Sequence, residues 1–469
     1  MSNSAKNVDM LSGNLYKSII VYALPLMLSG FLQLLFNAAD LVVVGKFCGS
    51  HMLGAVGACG PLNTLVINFF MGFSIGVSVV VSTGLGEDNW KKVNRAVHTC
   101  LPLGLVCGLF VAVFGFIFAR PMLAAMDTPD EIIDYAVTYL RITFIGVPGN
   151  LVYNYSSAIL KANGDTRRPL IYLTISGVLN VILNVIFVVF FDLNIAGVAL
   201  ATAITTVLSG VLTVRQLTRL TNCCRLQFKY VKFYKEDCLR IIKIGLPAGL
   251  QQSMFSVSNI IIQSSINSFG TAVMSGSSAA QSINGFQYVL LAGVSQATVN
   301  FVGQNYGAQQ YDRVKQVRKI SVLYSSLFGL ASAGIIMLFK TQLLGIYITD
   351  SQEAIDAGVI KLLFVCTFAF VNGLYDVTAA CLRGIGSSTP PAIISIVGIC
   401  GVRLLIIYTI FQIPEFHNLY VLYAAYPISW LATLIAGTLV YSSIARKRFA
   451  YHDRHMEAFK KDTFKRSLE

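Results

Sequence analysis

The chain has 469 residues, of which 55% are apolar and only 12% charged, with a mean hydropathy of +0.67. A soluble protein carries about 25% charged residues, so an ordinary water-exposed globular fold is excluded and a membrane protein is indicated. The formal net charge of +13 raises nucleic acid as a partner, a reading that the placement of the charges argues against.

Residues 1–18 are polar and are read as a cytoplasmic N-terminal tail; the apolar run behind them is too long for a signal-peptide core, so no cleavable signal is expected. Apolar runs follow at about 19–45, 53–83, 96–119, 135–160, 170–191 and 195–214, and again at 244–268, 275–304, 320–339, 362–382, 391–412 and 419–445. Each can cross about 30 Å of hydrocarbon as a helix. The prediction is an all-α membrane protein with twelve transmembrane helices in two pseudo-symmetric six-helix lobes. The N-lobe occupies 19–214 and the C-lobe 244–445; a basic cytoplasmic linker, 215–243, joins them, and a basic cytoplasmic tail covers 446–469. Span eight is the most polar of the twelve, rich in Ser, Gln and Asn.

The two halves repeat. Asn150, Tyr153, Leu160, Gly164 and Pro169 recur at an offset of 222 as Asn372, Tyr375, Leu382, Gly386 and Pro391, and Pro25 recurs as Pro247. Gly72, Ser74, Gly86 and Val93 recur at an offset of 221 as Gly293, Ser295, Gly307 and Val314. Two parallel bundles of this kind are a layout in which one half rocks against the other around a central site.

Charge sets the expected orientation. With both termini cytoplasmic, 29 of the 35 Lys and Arg residues fall in the tails and cytoplasmic loops, whereas Asp127, Asp130, Asp192, Asp350 and Glu415 gather on the opposite side. This is the positive-inside bias; together with anionic inner-leaflet lipid it accounts for the net charge without nucleic acid. A multi-pass protein of the inner (plasma) membrane is expected.

Three charged residues fall inside the spans: Asp40, Asp376 and Arg403. Ionisable groups at that depth are costly and are functional candidates by default. Asp40 sits toward the outer half of span one, where it could also simply reach the interface. Asp376 on span ten and Arg403 on span eleven allow a structural ion pair or a switch that opens with a proton or substrate. On span five, Asn180 and Asn184 share a helix face; they could supply oxygen ligands to Na⁺ beside a carboxylate, or merely bond across helices. Asn154, Gln252, Asn259, Gln281 and Gln287, with Phe255 and Tyr288 nearby, suggest the wall of a wetted substrate cavity.

Enzyme signatures fail on context. Gly72-Phe73-Ser74-Ile75-Gly76 matches a nucleophile elbow, but that chemistry needs a strand-to-helix turn; inside a span, Gly72 and Gly76 read as a small-residue packing face, as do Gly104 and Gly108. The sequence has no Walker A pattern and no His-Glu-x-x-His, which removes the ATP-driven and zinc-hydrolase readings. The ten cysteines show no metal-ligand spacing and read as small apolar fillers.

The stretch Pro25…Asp40-Leu-Val-Val-Val-Gly45 resembles the first helix of multidrug and toxic compound extrusion (MATE) transporters. Leu179-Asn180-Val-Ile-Leu-Asn184, Ala196-Gly197-Val-Ala-Leu-Ala201-Thr202, Gly303-Gln304-Asn305-Tyr306-Gly307-Ala308 and Leu382-Arg383-Gly384-Ile-Gly386 resemble the same family. The likeness covers about 15–445. It implies a cation site at Asp40, Asn180, Asn184 and Thr202, with Asn184 standing where the family often has an aspartate. It further implies a secondary antiporter, not an enzyme, with no cofactor beyond H⁺ or Na⁺ as coupling ion. Na⁺ would sit at Asp40, Asn180 and Asn184. Organic, amphipathic cationic compounds would be exported through alternating access by a monomer in contact with membrane lipid. The alternatives are a flippase for lipid-linked oligosaccharide and, from another class, a membrane-embedded enzyme.

Overall fold

The computed structural model describes residues 7–126, 128–349 and 351–466, with side chains described to residue 450 except at Ser50. Asp127 and Asp350, read above as external acids, lie outside the described residues. Twelve long helices follow in chain order. The first six are α1 (Leu15–Cys48), α2 (Ser50–Gly86), α3 (Trp90–Ala124), α4 (Asp130–Ala162), α5 (Arg167–Phe190) and α6 (Asn194–Thr218). The second six are α7 (Lys235–Asn267), α8 (Thr271–Gly307), α9 (Tyr311–Leu338), α10 (Gln352–Gly384), α11 (Thr389–Gln412) and α12 (Leu419–Arg466). Several run past the apolar segments that mark them in the sequence. Thus α6 ends at Thr218 and α7 starts at Lys235, which narrows the linker, and α12 continues through the basic stretch read as a tail.

Nine of these helices are long and apolar enough to cross a membrane on composition alone; α4, α7 and α8 are not among them. Their polar residues are tolerated because other helices and internal cavities, rather than lipid, cover them. α4 is the hub of the N-lobe, packing on α2, α3 and α6, and α10 takes the equivalent place in the C-lobe against α8, α9 and α12. The repeat is reproduced atom for atom in places. Tyr153 Oη donates to the carbonyl of Pro169 at 3.2 Å, and Tyr375 Oη to that of Pro391 at 2.7 Å.

The lobes join through α1, α2, α7 and α8. The first halves of α1 and α7 cross over: Leu15, Ile19, Tyr22 and Leu26 bury against Val294, Phe301 and Val317 of the C-lobe, while Ile241 buries among Val77, Val80 and Val97 of the N-lobe. Close approach at these crossings needs glycine. A Cβ at Gly86 would lie 2.0 Å from the carbonyl oxygen of Gln304, and one at Gly307 2.2 Å from that of Thr83. These are one contact seen from both sides of a pseudo-two-fold axis. The small-residue face of α2 behaves likewise, for a Cβ at Gly72 would stand 2.1 Å from the Gly249 nitrogen on α7.

All this lies toward the end of the bundle that carries the linker, hereafter the linker face. A polar latch reinforces it. Asn300 on α8 accepts from Ser78 Oγ (2.7 Å) and Ser82 Oγ (3.2 Å) of α2 and donates to Tyr22 Oη (2.9 Å), which donates to the Lys161 carbonyl (2.8 Å). The segment ahead of α1 ties the same face: Val8 N–H donates to Gly164 O at 3.0 Å in the N-lobe, and Asn305 Nδ2 of the C-lobe donates to Met10 O at 2.9 Å. Toward the far face, Gly57 and Gly60 of α2 have nothing within 4 Å of an added Cβ.

Leucine at Gly72 forces α2 from α7 and is expected to remove about 1–3 kcal/mol of stability, read as a lowered midpoint of thermal unfolding in detergent. Leucine at Gly57, on the same helix but facing open space, is expected to unfold like the wild type. Equal midpoints for the two variants would contradict the crossing.

Candidate functional site

Three neighbouring chambers that share lining residues lie between and within the lobes. The N-lobe chamber, about 450 Å³, is lined by Asp40, Asn150, Asn154, Asn180 and Thr202. The C-lobe chamber, about 300 Å³, is lined by Gln252, Asn259, Gln281, Asn284, Asp376 and Arg403 among others. Thr64 and Asn68 of α2 border both. Deeper toward the linker face an inner chamber of about 210 Å³ holds Lys161, Gln296, Asn300, Asp376 and Arg383.

In the N-lobe, α1, α5 and α6 bring four side chains into one hydrogen-bonded chain. Asn184 Nδ2 donates to Asp40 Oδ1 at 2.6 Å and lies 3.3 Å from Asn180 Oδ1; Asn180 Nδ2 donates to Thr202 Oγ1 at 3.3 Å, and that hydroxyl donates to the Val198 carbonyl at 3.0 Å. Asn184 is fully buried, yet its Oδ1 has no hydrogen-bond partner among the described residues. An orphaned carbonyl oxygen beside a carboxylate and a second amide is a set of hard oxygen donors of the kind that alkali and alkaline-earth cations take. Wide helical turns close two of the three contributing helices just beyond the cluster, at Val44–Cys48 on α1 and Ile186–Phe190 on α5; such turns recur at functional sites. The C-lobe has no counterpart, since the repeat offset places Ile262 opposite Asp40 and Ile406 opposite Asn184.

Elsewhere the candidates divide. Asn154 donates to Asn150 at 2.8 Å from the wall of the N-lobe chamber, and Gln252, Asn259 and Gln281 line the C-lobe chamber as the cavity reading requires. Gln287 does not. It is buried, and its amide nitrogen lies 3.2 Å from Gly329 O, 3.0 Å from Ser332 Oγ and 3.1 Å from Cys366 O, so it ties α8 to α9 and α10 away from every chamber. Asp376 and Arg403 both face the C-lobe chamber, but no ion pair joins them among the described residues. Arg403 instead donates to Ser429 Oγ (3.1 Å) and Asn259 Oδ1 (3.3 Å) and lies over Tyr426 with its guanidinium carbon 4.2 Å from the ring centre. The inner chamber is lined by Asp376 together with a different arginine, Arg383.

Two further cations escape a reading of hydrophobic runs alone. Lys161 and Arg383 stand at the ends of apolar segments, where they read as cytoplasmic, yet both line the inner chamber. Arg383 is buried and donates to Gln251 Oε1 at 2.7 Å; Lys161 Nζ donates to Gln296 Oε1 at 3.3 Å. Their offset of 222 is the signal that could have found them, as it relates Asn154 to Asp376.

Because Asp376 and Arg403 share no bond, Asp376→Asn and Arg403→Gln are expected to affect thermal stability additively, with a coupling below about 0.5 kcal/mol in a double-mutant cycle. A coupling of about 2 kcal/mol would restore the ion pair.

A family model described as MatE matches residues 25–186 and again 247–409, two blocks that start 222 residues apart as the internal repeat does. The chain is 26% identical over 445 residues to the probable multidrug resistance protein YoeA of Bacillus subtilis (strain 168), covering 93% of this chain and 95% of the relative. It is 21% identical over 381 residues to the multidrug export protein MepA of Staphylococcus aureus (strain NCTC 8325 / PS 47), covering 81% and 84%. A crystal structure of MATE in complex with MaL6 superimposes with a TM-score of 0.87 at 22% identity, over 96% of this chain and all of that one (100%). A structure described as the outward-facing conformation of a multidrug resistance MATE family transporter of the MOP superfamily does so with a TM-score of 0.87 at 21% identity, over 97% and 100%. At those identities the likeness of structures is one of fold, whereas the family model spans both lobes: the protein belongs to the MatE family of membrane transporters.

Proposed function

We propose that this protein is a secondary active antiporter that exports amphipathic organic compounds bearing a cationic group in exchange for H⁺ or Na⁺, by alternating access of its two lobes. The observation that carries the reading is the Asp40–Asn184–Asn180–Thr202 cluster, three members of which, Asp40, Asn180 and Thr202, line the N-lobe chamber. An ion that binds this cluster differently in the two lobe arrangements shifts their equilibrium by that difference in affinity, and a substrate in the adjoining chamber is linked to it reciprocally. The multidrug names of the relatives support an organic substrate. The positive-inside bias supports cytoplasmic termini and a joined linker face on the cytoplasmic side, hence an outward-facing arrangement. Both lobes lie in one chain, which supports a monomer in contact with lipid.

Asp40→Asn keeps the shape of the cluster and removes its only carboxylate. It is expected to reduce ion-driven dye efflux from cells by at least about tenfold, roughly 1.4 kcal/mol of coupling, at unchanged expression. Full efflux by this variant would sink the assignment. Orientation has its own check in a cysteine-free version. Cysteine at the exposed Lys229 of the linker should resist an impermeant thiol reagent added to intact cells, and cysteine at the exposed Asp130 should react. Labelling of position 229 from outside would invert the topology.

A further inference from the structure

Arg403 is the most conspicuous group that the coupling cluster does not use. It is 2% exposed, on α11 just after the wide turn Ile396–Gly401, and it lines the C-lobe chamber at a depth where an uncompensated cation is costly. The surroundings hold this charge without neutralising it. Ser429 Oγ and Asn259 Oδ1 take Nε and Nη1, and the flat face lies on Tyr426 and Trp430, at 4.2 and 5.9 Å from their ring centres. Nη2 makes no hydrogen bond among the described residues, and no carboxylate pairs with the guanidinium there. A guanidinium fixed at its face and one flank, with its remaining N–H groups free beside a cavity, is built to receive the two oxygens of an oxyanion in its plane. Phe255, Leu291 and Val365 give the chamber apolar walls, and Asp376 provides a negative group in the same space.

We propose that the C-lobe chamber is an acid-group subsite, in which Arg403 pairs with the carboxylate of an amphipathic zwitterion whose amine lies toward Asp376. This deepens the exporter reading and rests on it only in calling the ligand a transported substrate. The two lobes thereby carry different charge patterns, a lone carboxylate at Asp40 in the N-lobe chamber and a guanidinium at Arg403 together with Asp376 in the C-lobe chamber. At the repeat offset Arg403 corresponds to Val181, so the subsite belongs to the C-lobe alone.

Trp430 makes the proposal measurable. The chain has 2 tryptophans, and Trp90→Phe, at an exposed position on the linker face, leaves Trp430 as the only tryptophan, excited selectively over tyrosine as the energy-transfer donor. The probes are Nε-dansyl-lysine, a zwitterion, and its methyl ester, which keeps the amine and the aromatic body but lacks the acid. In purified full-length protein, dansyl-lysine is expected to bind at least about tenfold more tightly than the ester. Arg403→Gln should abolish that preference by weakening dansyl-lysine alone, and Arg403→Lys should restore part of it. Equal affinity of both probes for the parent protein, or loss of both together in a folded Arg403→Gln protein, would overturn the subsite. If Arg403→Gln does not fold, Asn259→Asp sets a carboxylate beside Nη1 and should produce the same selective loss; undiminished dansyl-lysine binding in that variant would likewise overturn it. Binding with the predicted preference but no uptake into inverted vesicles would uphold the subsite and fail the exporter reading.

Discussion

The close crossing of α1, α2, α7 and α8 at the linker face is the constraint on which the rest of the structure depends. Backbone approaches backbone there because Gly72, Gly86 and Gly307 leave no side chain between the helices. Small residues are what let membrane helices come that near when no hydrophobic drive separates helix from lipid. The first halves of α1 and α7 are exchanged between lobes, so neither lobe has a complete core at this end without the other's first helix. Three chambers adjoin this crossing, one of them set toward the linker face.

A second constraint follows from the cost of polar groups at membrane depth. The helices too polar to pass as spans on composition, α4, α7 and α8, contribute Asn154, Lys161, Gln252, Asn259, Gln281 and Asn300 to the chambers or the latch. Polar residues with no chamber to face are consumed in packing, as Gln287 is between α9 and α10 and as Lys361 is against Ser277, where its Nζ lies 3.0 Å from both the carbonyl and the hydroxyl oxygen. The lobes share a scaffold but not a charge pattern. The repeat preserves the tyrosine–proline bonds and the glycine contacts while letting Asp40 appear in one half and Arg403 in the other.

Twelve helices, their grouping into two lobes and the parallel repeat were legible in the sequence because apolar length and a constant offset are properties of the chain itself. Asp40 stood out because a carboxylate in an apolar run has few reasons to be there; its meeting with Asn180, Asn184 and Thr202 came from family resemblance, since no spacing rule joins span one to spans five and six. The misplacements have one physical source. Hydropathy locates a residue along a helix axis but not around it, and rotation about the axis decides what a side chain meets. Asp376 and Arg403 sit on neighbouring spans at compatible depths, yet Arg403 turns onto Tyr426 and Ser429. Gln287 sits one turn after Asn284, whose amide reaches its Oε1 at 3.5 Å, yet its own amide nitrogen turns onto Gly329 and Cys366 rather than into a chamber. Lys161 and Arg383 were hidden differently: they end apolar runs, where a cation looks cytoplasmic, and only the crossing of the helices covers them.

Distances across the two ends of the molecule test rocking around the linker-face crossing most directly. Spin labels at the exposed, repeat-related Lys91 and Asp312 report the linker face, and labels at the exposed Asp130 and Gln352 report the far face. Measured by double electron–electron resonance in lipid while Na⁺, pH and substrate are varied, the two distances are predicted to change in opposite directions, the first lengthening as the second shortens. Two distances that stay fixed under every condition, or that lengthen and shorten together, would contradict it.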